Sequence, residues 1–482
     1  MTSAMFVVLL PIIVTGVTTV AVMLVVAFYR NHALTAALTS CGLVAAFLIL
    51  PVSGAAAVRE ATALLVLDNF ALYYIGLILL AAVAIVMISF GYFERRAVDP
   101  HEYYLLLLCA VVGGEVLAAS NHFVSLVLGL EILSVSLYAL IAYARTLKPL
   151  EAAVKYLVLA AGSAAFLFFG AALLYAEFGT MELPTIAAAL NAGTPIPSAI
   201  VLAGLGLIIV GVGFKLALVP FHLWTADVYE GASAPVTAFI ATVSKGAVFA
   251  VLFRYFTESG VHAHHALLFI FTLVAITSMF VGNLLALMQL NVKRMLAYSS
   301  IAHLGYLLVA FLASGPLAAP AAAVYLAAYF ITTLGAFGVI SALSDRDHEP
   351  ENLDEYRGLF WRRPWMALTF TMMLLSLAGI PLTAGFIGKF LVIAAGEESA
   401  RWAAILALVV NSAIGLFYYV RVVAVMCAGT PRSSEASTLP PALPAHWSGA
   451  SALVILTGAL VWIGVYPAPL LKVIQALVTL PG

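Results

Sequence analysis

Four lysines of this 482-residue chain stand where a charge is expensive: Lys155 in "AAVKYLVLAAG", Lys215 in "GFKLALV", Lys245 in "TVSKGAVF" and Lys389 in "GFIGKFLVI". Apolar residues enclose each of them. Glu131, in "VSLVLGLEILSVSLYAL", is set the same way, while Glu115 in "VVGGEVLAAS" lies nearer the end of its run. A lysine at the centre of a membrane span costs about 2.5–3.5 kcal/mol, so four unpaired ones cost on the order of 10 kcal/mol. Ionisable groups carried at that cost normally face a bundle interior or a water cavity and mark an ion or proton path. The chemistry open to such a row is proton transfer.

The spacing supports that reading. Lys215 and Lys245 each lie fifteen residues from Glu230, near the centre of the loop between their runs. In an antiparallel hairpin they reach similar depth. Two ammoniums in one dry layer cannot both remain comfortably charged, so a neutral lysine becomes accessible. Across the "YARTLKP" turn, Glu131 and Lys155 can form a buried acid–base pair. These are the parts of a proton relay with an electrostatic switch. The alternative is snorkelling or a static ion pair. It weighs most for Lys155, which is only about six residues into its run, whereas buried acids are too few to neutralise the other three.

Two histidines are weaker candidates. His222, in "VPFHLW", can pass protons because its ordinary pKa is near neutrality, or it can cap a broken helix. His303, in "YSSIAHLGY" beside Tyr298, Ser299 and Ser300, can join a water wire or sit in a packed polar knot. His262, His264 and His265 crowd a short loop that reads as solvated rather than as a metal site.

Membrane helices must position these groups. The chain is 64% hydrophobic and 9% charged, with a mean hydropathy of +1.13. Soluble domains carry about 25% charged residues, which excludes a soluble globule. The net charge of −1, without a basic block, offers nothing to nucleic acid. Cys41, Cys109 and Cys427 fit no disulfide or metal spacing and read as buried structural thiols. No P-loop, dinucleotide glycine pattern, haem attachment or iron–sulfur spacing occurs, so the chain carries no electrons by itself. The first apolar run lacks a basic n-region and is too long for a signal peptide; it reads as a retained span.

Spans of about 20 residues predict fourteen helices, at 5–29, 33–51, 69–91, 103–119, 121–143, 149–176, 199–224, 235–256, 266–290, 297–314, 318–343, 365–395, 402–427 and 450–476. The runs lack the alternation of barrel strands, so the fold class is an all-α polytopic membrane protein. Loops after odd-numbered spans and the adjoining span ends hold thirteen basic residues, from Arg30 to Arg432; the other side holds Arg59, Arg254, Arg401 and Lys472. Positive charge stays cytoplasmic, so both termini are expected outside. Pro220 follows Lys215 by five residues and Pro381 precedes Lys389 by eight. Proline breaks a span where the gap lines a cavity or packs on protein. The two broken spans are five apart, and an odd offset inverts topology, the pattern of an inverted repeat.

"GLEILSVSLYAL", "AAVKYLVL", "GFKLALVPFHLWTADVYEGASAPVTAFIATVSKGA", "NVKRMLAYSSIAHLGYLL", "YRGLFWRRP" and "LSLAGIPLTAGFIGKF" resemble the antiporter-like membrane subunits of respiratory NADH:quinone oxidoreductase, the bacterial N type most closely. The resemblance covers essentially the whole chain. It implies helices 1–3 over 1–102, inverted repeats over 103–256 and 257–427 (helices 4–8 and 9–13), and a loop with a last helix over 428–482. Glu131 and Lys155 then match the coupling pair, Lys215 and Lys245 the central lysines, and Lys389 the distal lysine, where M- and L-type sisters typically carry glutamate. Glu115 matches no family motif. The resemblance also implies a bacterial inner membrane and NADH, FMN, iron–sulfur clusters and quinone in other subunits. The implied partners are K, J and M types and the lateral helix of the L type. A subunit of a multi-chain sodium/proton antiporter, of an energy-converting hydrogenase or of a formate hydrogenlyase is the competing reading, and a passive structural subunit the bland one.

Overall fold

A computed structural model describes residues 3–56, 60–96, 98–192, 198–258, 264–346, 348–429 and 446–478. Arg59, His262 and Arg432 lie outside these residues. The chain opens with α1 (Ser3–Phe28) and α2 (His32–Gly54), then a hairpin of β1 (Glu60–Thr62) and β2 (Leu65–Val66), then α3 (Asn69–Glu94). Next come α4 (His101–Ala118), α5 (Phe123–Ile141), α6 (Leu147–Phe178), α7 (Leu183–Ala192), α8 (Ala199–Leu216), α9 (Trp224–Gly231), α10 (Ala234–Phe239) and α11 (Lys245–Glu258). The second half holds α12 (His265–Leu287), α13 (Val292–Leu312), α14 (Ala318–Leu343), α15 (Leu359–Arg362), α16 (Pro364–Ala378), α17 (Ala384–Glu398) and α18 (Trp402–Cys427). It closes with α19 (Trp447–Val465) and α20 (Ala468–Leu477).

Among the described residues, thirteen helices are long and apolar enough to cross a bilayer, counting α10 and α11 as one. The expected span 365–395 is divided instead between α16 and α17, of 15 residues each. The expected span 199–224 already ends at Leu216, and the last one, 450–476, divides at Tyr466–Pro467. The hairpin, α7 and α9 are additional to the expected spans, because elements of ten residues or fewer are too short to leave a periodic signal.

Burial separates a core from a rim. The span Ala234–Thr257 is wholly buried, and α13 and α14 nearly so, whereas α1, α2 and α6 show long apolar side chains outward, such as Leu24, Leu48 and Val158. That arrangement suits lipid or neighbouring helices around the rim. It also corrects the reading of the thiols: Cys41 and Cys427 are exposed and Cys109 half-buried. In a membrane protein an apolar neighbourhood marks the outward face as readily as the core.

One crossing occurs twice. A Cβ on Gly113 of α4 would stand 2.7 Å from the Leu133 nitrogen and 2.8 Å from the Gly129 oxygen of α5. A Cβ on Gly282 of α12 would stand 2.7 Å from the Ala302 nitrogen and 2.8 Å from the Tyr298 oxygen of α13. In that register, an offset of 169 residues from Gly113 to Gly282, Glu131 corresponds to Ser300 and Ser134 to His303.

Candidate functional site: a buried row of lysines

The site begins where two helices stop. α8 ends on Ala217, whose φ is +59°, with the Leu218 amide bonded to the Gly213 carbonyl at 2.8 Å. α16 ends in the same way on Gly379, φ +86°, with the Ile380 amide 3.0 Å from the Leu375 carbonyl. The chain becomes helical again at Trp224 and at Ala384. Each break leaves the negative end of a helix dipole and its last carbonyls inside the protein. A cation is favoured there, and each break has one.

Lys215 lies in the last turn of α8. Its Nζ donates to Ser134 Oγ of α5 at 2.7 Å and sits 5.7 Å from the Tyr156 ring centre. Glu131 stands one turn before Ser134 on the same helix and is half-buried. Lys389 follows its break and reaches back over it. Its Nζ donates to the carbonyls of Leu377 at 2.9 Å and Ala378 at 2.8 Å, and to Ser412 Oγ at 2.8 Å. All three hydrogens of this ammonium have acceptors.

Lys245 follows a π-helical turn at Ile240–Ser244, a distortion often found at functional sites. Its Nζ donates to Ser300 Oγ of α13 at 2.6 Å, and the same hydroxyl accepts from Tyr329 at 2.8 Å. His303 lies one turn further along α13. Its Nδ1 meets the Tyr325 hydroxyl at 2.6 Å, and its Nε2 meets Tyr419 at 3.3 Å. The partners of His303 are therefore phenols on other helices rather than its neighbours Tyr298, Ser299 and Ser300. A cavity of about 10 Å³ lined by His303, Tyr325, Tyr329, Thr332, Ser376 and Lys389 is roughly the size needed for one water. Hydroxyls and this cavity thus lead from Lys245 towards Lys389 through the buried core.

Lys155 is placed differently from the expectation. Its side chain is 45% exposed, and its Nζ pairs with Glu151 at 2.8 Å and Asp227 at 3.0 Å. The anticipated Glu131–Lys155 pair is replaced: Lys155 binds Glu151 of its own helix and Asp227 of α9. Asp227 also accepts from Arg294 at 2.8 Å, Arg294 pairs with Glu230 at 2.7 Å, and Glu230 with Lys148 at 2.9 Å. Partial burial opposes the Asp227 charge, yet the bonds from Arg294 and Lys155 hold its carboxyl below the ordinary range.

The remaining candidates scatter. His222 lies in the first break, half-buried; its carbonyl accepts from the Thr225 amide at 3.0 Å, so it helps start α9, and its Nδ1 is buried without a partner. Glu115 is fully buried, deeper than its place in the sequence suggested, and accepts from Thr15 of α1 at 3.0 Å. His264 and His265 stand at the start of α12, away from the lysines. Sequence reasoning missed Ser134, Ser412 and Asp227, and it placed Ser300 beside His303 rather than on Lys245. Only Asp227 had a visible signal, as an acid in "LWTADVYEG" directly after the proline break.

Residues 120–415 match the family described as NADH:quinone oxidoreductase/Mrp antiporter, transmembrane. The chain is 50% identical over 479 residues to the NADH-quinone oxidoreductase subunit N of Ectopseudomonas mendocina (strain ymp), covering 97% of this chain and 95% of that one. Among solved structures, a chain of respiratory complex I from Thermus thermophilus with bound aureothin is 33% identical, with a TM-score of 0.81 over 96% of this chain and 98% of that one. A chain of the Mrp complex from Dietzia sp. DQ12-45-1b has a TM-score of 0.85 at 20% identity, over 99% of this chain and 97% of that one, a likeness of fold alone. The chain belongs to the subunit N family of NADH-quinone oxidoreductase, as an antiporter-like membrane subunit of the proton-translocating respiratory complex I whose redox cofactors belong to other subunits.

Proposed function

We propose that protons move through this chain along Glu131, Lys215, Lys245, His303 and Lys389, with Lys155 at the edge of the row and His222 at the first break. The observation that carries this reading is the position of Lys215 and Lys389 at two helix breaks: Lys215 stands in the last turn of α8 with its ammonium on Ser134, and the Lys389 ammonium caps the last carbonyls of α16. Fixed dipoles offset much of the cost of the charged state, and a shift of Glu131 or of a neighbouring lysine decides whether that state persists. Electron transfer elsewhere in the complex would change the charge at Glu131. Lys215 would respond, and the disturbance would pass through Ser300 and His303 to Lys389.

The duplicated Gly113 and Gly282 crossings and the two similar breaks support inverted repeats over 103–256 and 257–427. The excess of basic residues on one set of loops supports a bacterial inner membrane with both termini periplasmic. The half-exposed Lys155 and the outward apolar faces of α5 and α6 support contact with subunits of K, J and M type, and with the lateral helix of the L type. The test is Glu131→Gln, which keeps size and hydrogen bonding but removes the titratable charge. Quinone reduction and proton pumping should fall together in an assembled complex. Unchanged coupled activity would leave Glu131 as a packing residue.

A further inference from the structure

Asn283 of α12 is 1% exposed and bonded on every side. Its Nδ2 lies 2.9 Å from the Met279 carbonyl, 2.9 Å from the Tyr306 hydroxyl and 3.2 Å from Asn411 Oδ1 of α18. Its Oδ1 accepts from the Tyr418 hydroxyl at 2.9 Å. Two of these four contacts, the phenols, lead to the proton-carrying row. The Tyr306 ring lies 5.0 Å from Lys389 Nζ and edge-on to His303 at 5.4 Å. Tyr418 lies against Tyr419, ring centres 4.4 Å apart, and Tyr419 bonds to Ser299 and reaches His303 Nε2 at 3.3 Å.

We propose that Asn283 is a positioning residue for the second half of the proton path. Through Tyr306 it fixes the aromatic face that attracts the Lys389 ammonium; through Tyr418 and Tyr419 it fixes the ring of His303. The inference rests on the carrier role given to Lys389 above. A buried amide in a membrane helix must be fully bonded, and gluing α12 to α18 needs only one bond to that helix, which Asn411 already supplies. Asn283 instead spends its carbonyl and one of its amide contacts on two phenols. A cation is attracted to an aromatic face only when it lies over the ring, so a tyrosine free to tilt would withdraw that face from the Lys389 ammonium and leave it only its three hydrogen bonds. The hydroxyl at the far end of Tyr306 is the handle that stops the tilt.

The test uses the intact complex in proteoliposomes with matched subunit content. Asn283→Leu should lower the kcat of coupled turnover and proton pumping roughly tenfold, within the hundredfold that a misplacement of about 1 Å can cost, with the KM for quinone unchanged. Placed on Lys389→Ala, it should add less than about a twofold further loss, because residues acting through one another are not additive. Asn411→Leu, which removes the Asn283–Asn411 contact and leaves both phenol contacts in place, should be milder. Equal losses in the two asparagine variants, or full additivity with Lys389→Ala, would make Asn283 plain glue and overturn the proposal. If Asn283→Leu does not assemble, Tyr306→Phe decides: it keeps the ring and deletes the held hydroxyl, and it must show the same non-additivity. Normal pumping by Lys389→Ala would remove the carrier role itself, and the proposal with it; loss in Lys389→Ala beside normal pumping in Asn283→Leu and Tyr306→Phe would remove the positioning role alone.

Discussion

Asp227 of α9 meets Lys155 of α6 at 3.0 Å, and its second oxygen receives Arg294 of α13 at 2.8 Å. One carboxylate thus ties the edge lysine to the second half of the molecule. Contacting residues couple in mutant cycles, whereas separated ones add. Lys155→Ala and Asp227→Asn should therefore be non-additive in coupled turnover, and Lys155→Ala with Glu131→Gln should multiply. The reverse pattern would restore the Glu131–Lys155 pair that this structure replaces.

The excess of basic residues on one set of loops makes a topological prediction. The loop at Gly315–Ala319 should face the periplasm and the segment Arg346–Pro364 the cytoplasm. Single cysteines placed in each, in a background without Cys41 and Cys427, which are exposed, can be labelled with an impermeant thiol reagent on intact cells. Label on Arg346–Pro364 alone would invert the orientation.

Lys293 and Glu349 form a nearly buried pair at 2.8 Å just past the first broken helix; Lys293 also donates to the Ala232 carbonyl at 2.6 Å, and the Ala234 amide donates to Glu349 at 3.2 Å. Burial opposes the Glu349 charge, but Lys293 and Arg96 hold its carboxyl below the ordinary glutamate value. A lowered folded value means stability that is complete above the ordinary pKa, about 4.3, and lost as pH falls through the folded value. Glu349→Gln should cost about 3–5 kcal/mol at pH 7, since it leaves a buried ammonium unpaired. Below about pH 4.3 the thermal midpoint of the wild-type complex should fall more steeply than that of Glu349→Gln. Parallel curves would show that the pair adds nothing.

The sequence made the lysines legible because charge inside an apolar run is a local anomaly that needs no partner to be noticed. Pro220 and Pro381 made the breaks legible for the same reason. The partners were hidden. Ser134 and Asn283 are ordinary residues for a membrane helix, and only the packing of helices distant in the sequence gives them Lys215 and the phenols of Tyr306 and Tyr418 as partners. The pairing of Lys155 was misread because hairpin counting gives depth but not the direction a side chain takes around its helix. Glu131 and Lys155 lie on adjacent helices but face different neighbours.

Lys215 gives the most discriminating prediction. If its ammonium is only a fixed charge on Ser134 at the end of α8, arginine should serve, since it keeps the charge and fills similar space. If Lys215 must release and regain a proton, arginine should fail, because a guanidinium with a pKa above about 12 does not deprotonate in a protein. Lys215→Arg is expected to assemble, to pump poorly and to match Lys215→Ala in coupled turnover. Electron transfer from NADH to an artificial acceptor upstream of quinone should persist in both, as the redox centres lie in other subunits. The larger head group must fit beside Tyr156 and Phe214, 5.7 and 6.0 Å from Nζ, so the comparison needs complexes of matched subunit content and thermal stability. Near-normal pumping by the arginine variant would leave Lys215 an electrostatic fixture and move the proton-carrying step to Lys245 and Lys389.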